Sequence, residues 1–202
     1  MVGVADKSRF GPTSIDFTAS LADARALVDW LGRHEAQEQI LSRMTATLVT
    51  CLRDGGRILS CGNGGSMCDA MHFAEELSGR NREDRPALSA QAMSDAGHLT
   101  CVANDYGFEQ VFARGVEAWA RPGDVLVLFS TSGQSRNLIR AAEAARVKAV
   151  SVIGLLGRDG GQLRELCDLS LVVPGVTSDR IQEVHIKVAH LLIEGIEGSL
   201  FP

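Results

Sequence analysis

The run Val125-Leu126-Val127-Leu128-Phe129 contains no polar residue and no alternation. A strand with one wet face alternates. A strand apolar throughout is covered on both faces, the position of a central strand in a parallel sheet. A turn, Arg121-Pro122-Gly123-Asp124, precedes it, and the hydroxyl-rich loop Ser130-Thr131-Ser132-Gly133-Gln134-Ser135 follows it. Further short apolar segments predict strands over 57–61, 86–93, 149–154 and 169–173, the last stopped by Pro174-Gly175. Helices are expected over 67–77, 108–120, 136–146 and 179–197. Strands alternating with helices give an α/β fold, a three-layer α/β/α arrangement around a parallel sheet of five strands. Ligands of such sheets bind beyond the carboxyl ends of the strands, near a topological switch point.

Helical periodicity also runs ahead of the first strand, over 15–52. Leu21, Ala24, Leu27, Val28 and Leu31 recur at helical spacing, and after Gly32 so do Ile40, Met44, Thr47, Leu48 and Cys51. These N-terminal helices exceed what one α/β unit needs, so their apolar faces cover the sheet or another subunit. Residues 1–14 show no period and read as a loose extension. The 202-residue chain otherwise suits a single domain, 15–202, with helices over 15–52 and the α/β core and C-terminal helix over 53–202. A net charge of −5 argues against a protein built to hold nucleic acid. Five cysteines without a C-x-x-C pair suit reduced thiols in a cytoplasmic protein. Residues 1–12 hold no apolar signal core, and no apolar run is long enough for a membrane helix.

Two loops sit where ligands are expected. Cys61-Gly62-Asn63-Gly64-Gly65-Ser66 joins the first strand to its helix. Its glycines let backbone N–H groups approach an anion, although a plain tight turn uses the same residues. Neither G-x-G-x-x-G nor a Walker loop is present. The second loop, 130–135, offers four hydroxyls in six residues beside a helix start. Ser135 alone would serve as a cap; the other hydroxyls point to phosphate.

Taken in order, several segments resemble the SIS (sugar isomerase) family. They are the glycine loop, Asp69-Ala70-Met71-His72-Phe73-Ala74-Glu75-Glu76-Leu77, Asn104-Asp105-Tyr106-Gly107-Phe108, the Ser/Thr loop, and Asp179-Arg180-Ile181-Gln182-Glu183-Val184-His185-Ile186-Lys187-Val188-Ala189-His190. The likeness runs from about Ala19 to the C-terminus. It is strongest to the branch interconverting sedoheptulose 7-phosphate and D-glycero-D-manno-heptose 7-phosphate, which feeds the heptose of bacterial lipopolysaccharide. It implies a flavodoxin-like sheet, a homotetramer and active sites shared between subunits. It also implies Zn(2+) held by the positions of His72, Glu76, Gln182 and His190, with acid–base roles for Glu76 and His190. Asn63, Gly64, Gly65, Ser66, Glu76, Asn104, Asp105, Ser130, Thr131, Ser132, Ser135 and Gln182 would hold the phosphorylated seven-carbon sugar. The 69–77 and 179–190 segments carry the heptose reading; the two loops alone fit other sugar-phosphate enzymes equally. Rival readings are a non-catalytic SIS protein that binds the bacterial replication initiator, and a sugar-phosphate-sensing module.

The residue types match that chemistry. An aldose–ketose isomerase needs a base, an acid and a means of steadying an enediolate. His72 and Glu76 lie four apart on one helix and share a face, which suits metal binding or a paired hydrogen bond. Zinc accepts such nitrogen and oxygen donors. A carboxylate bound to zinc is a weaker base, which sets the two roles of Glu76 in tension. Gln182 and His190 are eight apart, about 12 Å along a helix, too far to meet one ion without strain. Either Gln182 belongs to a frayed helix start or one of the two comes from another subunit. His185 is a rival ligand or a packed histidine, and Asp179 orients it or caps the helix. Asn104 and Asp105 form a polar turn, and Arg80, Arg82 and Arg85 a basic run on a solvated face. His34 and His98 read as structural.

Overall fold

A computed structural model describes residues 17–33 and 35–202. The extension expected over 1–14 and His34 lie outside the described residues. Two helices, α1 (Phe17–Arg33) and α2 (Glu35–Arg53), come first. The α/β part follows as β1 (Ile58–Gly62), α3 (Gly65–Ser78), β2 (Ala90–Ala92), α4 (Ala96–Tyr106), a 3-10 turn (Phe108–Gln110), α5 (Val111–Trp119), β3 (Val125–Ser130), α6 (Arg136–Val147), β4 (Ser151–Gly157), α7 (Leu163–Leu166), β5 (Leu169–Val173) and α8 (Ser178–Leu200).

All neighbouring strands pair in parallel, in the order β2-β1-β3-β4-β5. The apolar run identified in the sequence is β3, at the centre, with every residue buried. Its side chains divide between two cores. Val125, Val127 and Phe129 join Leu31, Met44, Leu48, Phe73, Val184, Val188 and Leu192 under α1, α2, α3 and α8. Leu126 and Leu128 join Val102, Phe112, Val116, Leu138 and Leu163 under α4 to α7. Burying such side chains stabilises by roughly 1.5–3 kcal/mol each, against the entropy of ordering the chain. Chain order reverses between β1 and β3, so this switch point selects the crevice where the glycine loop and the Ser/Thr loop face each other.

Three local readings change. The second strand shrinks to Ala90–Ala92, because Pro86 has no N–H to donate and the segment before Ala90 is used as a return from α3, with Leu88 N–H bonding Leu77 O. Residues 96–106 form a helix that the apolar spacing did not announce, capped by Asp95, whose side chain accepts from His98 N–H. Asn104 and Asp105 therefore occupy its last turn rather than a loop. Arg85 is not on a solvated face: its side chain is 4% exposed and donates to the carbonyls of Glu76, Leu77, Gly79 and Pro86 while pairing with Glu197.

Candidate functional site

The Ser/Thr loop is shaped by its own hydrogen bonds. Ser130 Oγ accepts from Gly133 N–H at 3.0 Å, and Ser132 Oγ accepts from Gln134 N–H at 3.2 Å. Each hydroxyl hydrogen remains available to a ligand oxygen. Thr131 Oγ1 lies 3.2 Å from Ser178 Oγ, which ties the loop to the start of α8. Ser135 is the N-cap residue of α6, yet its side chain makes no cap bond, so the capping explanation for that hydroxyl fails. Gly133 has φ +64° and packs directly on Gly160, so the loop and the turn after β4 interlock at that glycine.

A cavity of about 190 Å³ opens here, lined by Asn63, Ser66, Ser130, Thr131, Ser135 and Gln182 over a floor of Phe129 and Leu138, with Ser178 on its wall. Gln182 reaches across to Ser66 Oγ at 3.3 Å. It presses so closely on Gly65 that a Cβ there would lie 2.7 Å from its amide atoms, so a side chain at this position would displace the Gln182 amide. Asn104 and Asp105 do not line this cavity. They are exposed on α4 and bond each other, Asn104 Nδ2 donating to Asp105 Oδ1 at 2.7 Å.

Farther along α3 and α8 lies a second cluster. His72 Nε2 is 3.2 Å from Glu76 Oε1, His190 Nε2 is 3.5 Å from Glu76 Oε2, and the two imidazole nitrogens are 3.2 Å apart. Glu76 Oε2 is buried and has no hydrogen-bond partner. One ligand atom from each of the three residues lies within 4.8 Å of the others, close enough for the set to share one ion, and the two histidines approach different oxygens of the carboxylate. His72, Glu76 and His190 can thus hold a metal ion, and among the described residues they form one such group of histidine, cysteine and carboxylate side chains. Asp69 lies one turn earlier on the same helix. Burial pushes its carboxyl up to about 6, partly offset by the nearby His72.

The side chain of Gln182 rests instead against Ser66 and Gly65. Helix α8 is continuous from Ser178, so Gln182 is inside it and the frayed-start alternative is overturned. It stands about 12 Å along the axis from His190. His185 is not a ligand. It is fully buried, with Nε2 3.1 Å from Leu156 O and its ring edge-on to Phe129. Asp179 does not touch it; Thr177 and the helix N–H of Arg180 hold the Asp179 carboxyl below the usual range. His98 is structural, bonded to Val111 O and packed on Trp119. Sequence reading missed Asn137 and put Arg85 on a solvated face; both are near-buried polar residues whose partners lie far away in the chain.

A 2-1-3-4-5 parallel sheet with a hydroxyl-lined cavity at its switch point is the frame of a flavodoxin-like α/β domain, and the SIS domain family model matches residues 23–157. Phosphoheptose isomerases from Yersinia pestis and Tolumonas auensis are similar at 55% and 52% identity, over 79% and 87% of this chain and 83% and 92% of theirs. The chain belongs to the phosphoheptose isomerase family of SIS domain proteins. Solved phosphoheptose isomerases from Neisseria gonorrhoeae and Francisella tularensis share the fold at TM-scores of 0.79 and 0.81, with 39% and 33% identity. Each alignment covers 90% of this chain, and 95% and 94% respectively of the solved chains.

Proposed function

We propose that this protein is an aldose–ketose isomerase that converts sedoheptulose 7-phosphate to D-glycero-D-manno-heptose 7-phosphate, in the cytoplasm and on the way to lipopolysaccharide heptose. The observation that carries it is the pairing of a hydroxyl-lined anion cavity with a histidine–carboxylate–histidine cluster, in a chain about half identical to phosphoheptose isomerases. The Ser130, Thr131, Ser132 and Ser135 hydroxyls donate to the phosphate, and Asn63, Gly64, Gly65 and Ser66 address the sugar; Asn104 and Asp105, exposed on α4 outside the cavity, meet only the part of the sugar that extends beyond it. Glu76 takes the proton from C1 through Oε2, leaving the enediolate, and the proton is returned at C2. His190 moves the proton between the two hydroxyl oxygens, so no net proton is gained or lost. The metal that His72, Glu76, Gln182 and His190 would hold, zinc by its donor set, supplies Lewis acidity toward the sugar carbonyl.

The working site is shared. Within its own chain Gln182 rests on Ser66 and Gly65, one side of the cavity, and in the assembly it faces the cluster of a second copy. Exposed Val28 and Leu191 on a groove of about 1150 Å³ between α1, α2 and α8, with Leu21 exposed elsewhere on α1, support assembly into a homotetramer. Residues 15–202 form one functional domain, because His190 on the last helix acts with His72 near the first strand.

A coupled assay with sedoheptulose 7-phosphate, before and after chelation, tests the reaction and the metal together. Turnover lost on chelation and restored by zinc is expected. A chain that binds the sugar phosphate without turning it over would sink the enzyme and leave a sensor. Mixing inactive Gln182→Ala and His190→Ala subunits tests sharing: mixed oligomers regain intact sites if the site spans two chains, and none if it lies within one.

A further inference from the structure

The two loops of the cavity are joined by a reciprocal amide pair. Asn63 Nδ2 donates to Asn137 Oδ1 at 3.0 Å, and Asn137 Nδ2 donates to Asn63 Oδ1 at 2.8 Å. Asn63 follows β1 on the glycine loop, while Asn137 is the second residue of α6, just beyond the Ser/Thr loop. The pair therefore bridges β1 and β3 directly across the switch point. Asn137 is 3% exposed, its backbone held in the first turn of a helix whose neighbours Leu138, Ala141 and Ala142 are fully buried. Asn63 is half-buried and lines the cavity.

We infer that Asn137 is a positioning residue for substrate binding, acting through Asn63. An amide has two N–H donors and an oxygen with two lone pairs. The pair uses one donor and one lone pair of each side chain, so Asn63 keeps one N–H and one lone pair for a ligand. Asn137 fixes which way they point. A free asparagine on a glycine-rich loop would rotate about its side-chain torsions and lose that freedom on binding; the pair removes the loss beforehand. The pair also holds the glycine loop and the Ser/Thr loop at one separation, so a phosphate on one and a sugar hydroxyl on the other are read at a set distance. Asn137 has no cavity-lining position of its own, which distinguishes it from Asn63.

This inference rests on the sugar-phosphate reading of the cavity, so its test measures binding separately from turnover. The probe is sedoheptulose 7-phosphate, with affinity from calorimetry and kcat and KM from the coupled assay. Asn137→Asp has nearly the same volume, but it sets a carboxylate oxygen against Asn63 Oδ1 and breaks one of the two bonds. It should weaken binding and raise KM about tenfold, with kcat changed by less than about threefold. Asn137→Ala should do the same in the wild-type background and nothing further in an Asn63→Ala background, because its effect passes through Asn63. Asn137→Asp with unchanged affinity and KM overturns the inference. So does an additive cycle, in which Asn137→Ala costs the same with and without Asn63. Wild-type binding without turnover would refute the isomerase alone, and the binding cycle would still decide the role of Asn137. If Asn137→Asp does not fold, the alanine cycle decides it.

Discussion

Alanine at Gly133 is the sharpest test of how the Ser/Thr loop is built. Gly133 adopts φ +64°, and a Cβ placed there would lie 1.9 Å from the carbonyl oxygen of Gly160 and 2.3 Å from its carbon. Both are backbone atoms, so no side chain can swing aside. Reaching the 3.0 Å below which side-chain carbons do not approach requires the loop and the Gly160–Gly161 turn to separate by about 1 Å. The left-handed backbone costs alanine about 1–2 kcal/mol, and forcing the packed turns apart costs about 1–3 kcal/mol more. A total near 3 kcal/mol lowers the melting temperature of a domain this size by about 6–12 °C. The same displacement would move the hydroxyls of Ser130, Thr131 and Ser132 away from the phosphate they are proposed to hold. A misplacement of about 1 Å at a site lowers kcat/KM about 100-fold. Scanning calorimetry and the coupled assay read the two effects. Wild-type melting with wild-type KM would refute the claim that loop and turn interlock at this glycine.

Other outcomes follow from the same geometry. Glu76→Gln should lower kcat by about 10²–10⁴-fold with the phosphate contacts intact, read as a kcat loss with little change in KM. Arg85→Ala leaves Glu197 and the end of α3 without their partner; the buried pair makes this cost about 3–5 kcal/mol in a urea melt, with weaker zinc binding because α3 and α8 lose a tie. His185 should make stability pH-dependent. Burial lowers it from 6.5 to about 4, with the Leu156 bond opposing. Its folded form resists protonation, so stability is complete above about 6.5 and falls as pH drops toward 4, by about 3 kcal/mol in all. His185→Phe should flatten the stability curve across that window, and an unchanged slope in urea melts would assign the pH dependence elsewhere.

The fold was legible where burial wrote itself into the residue pattern. The Val125–Ser130 strand is apolar because both faces are covered, and that one property placed it at the centre of the sheet. Leu169–Val173 was equally plain, bounded by a proline–glycine stop. Helix Ala96–Tyr106 escaped because it buries little, Val102 alone among its residues being fully buried, so no apolar stripe marks it. A cap was nevertheless written there: Asp95 stands three residues before the N–H it accepts, the spacing of a helix start. The four-residue α7 is too short for any period to appear.

Site residues differ in how they can be read. Hydroxyls crowded into one loop, or a histidine four residues before a glutamate, are local patterns visible in one dimension. Asn137 and Arg85 are not, because their meaning lies in partners 74 and 112 residues away. Gln182 falls between these cases. Its eight-residue distance from His190 left two alternatives, a frayed helix start or a second subunit, and the continuous α8 removes the first. Held on Ser66 and against Gly65, Gln182 belongs to the anion cavity, while His190 belongs with His72 and Glu76. Under the proposed shared site, a metal taking all four ligands would draw them from two chains. Under the same proposal the helices that precede the sheet would matter to catalysis, α1 and α2 bringing copies together so that one chain's amide meets another chain's imidazoles.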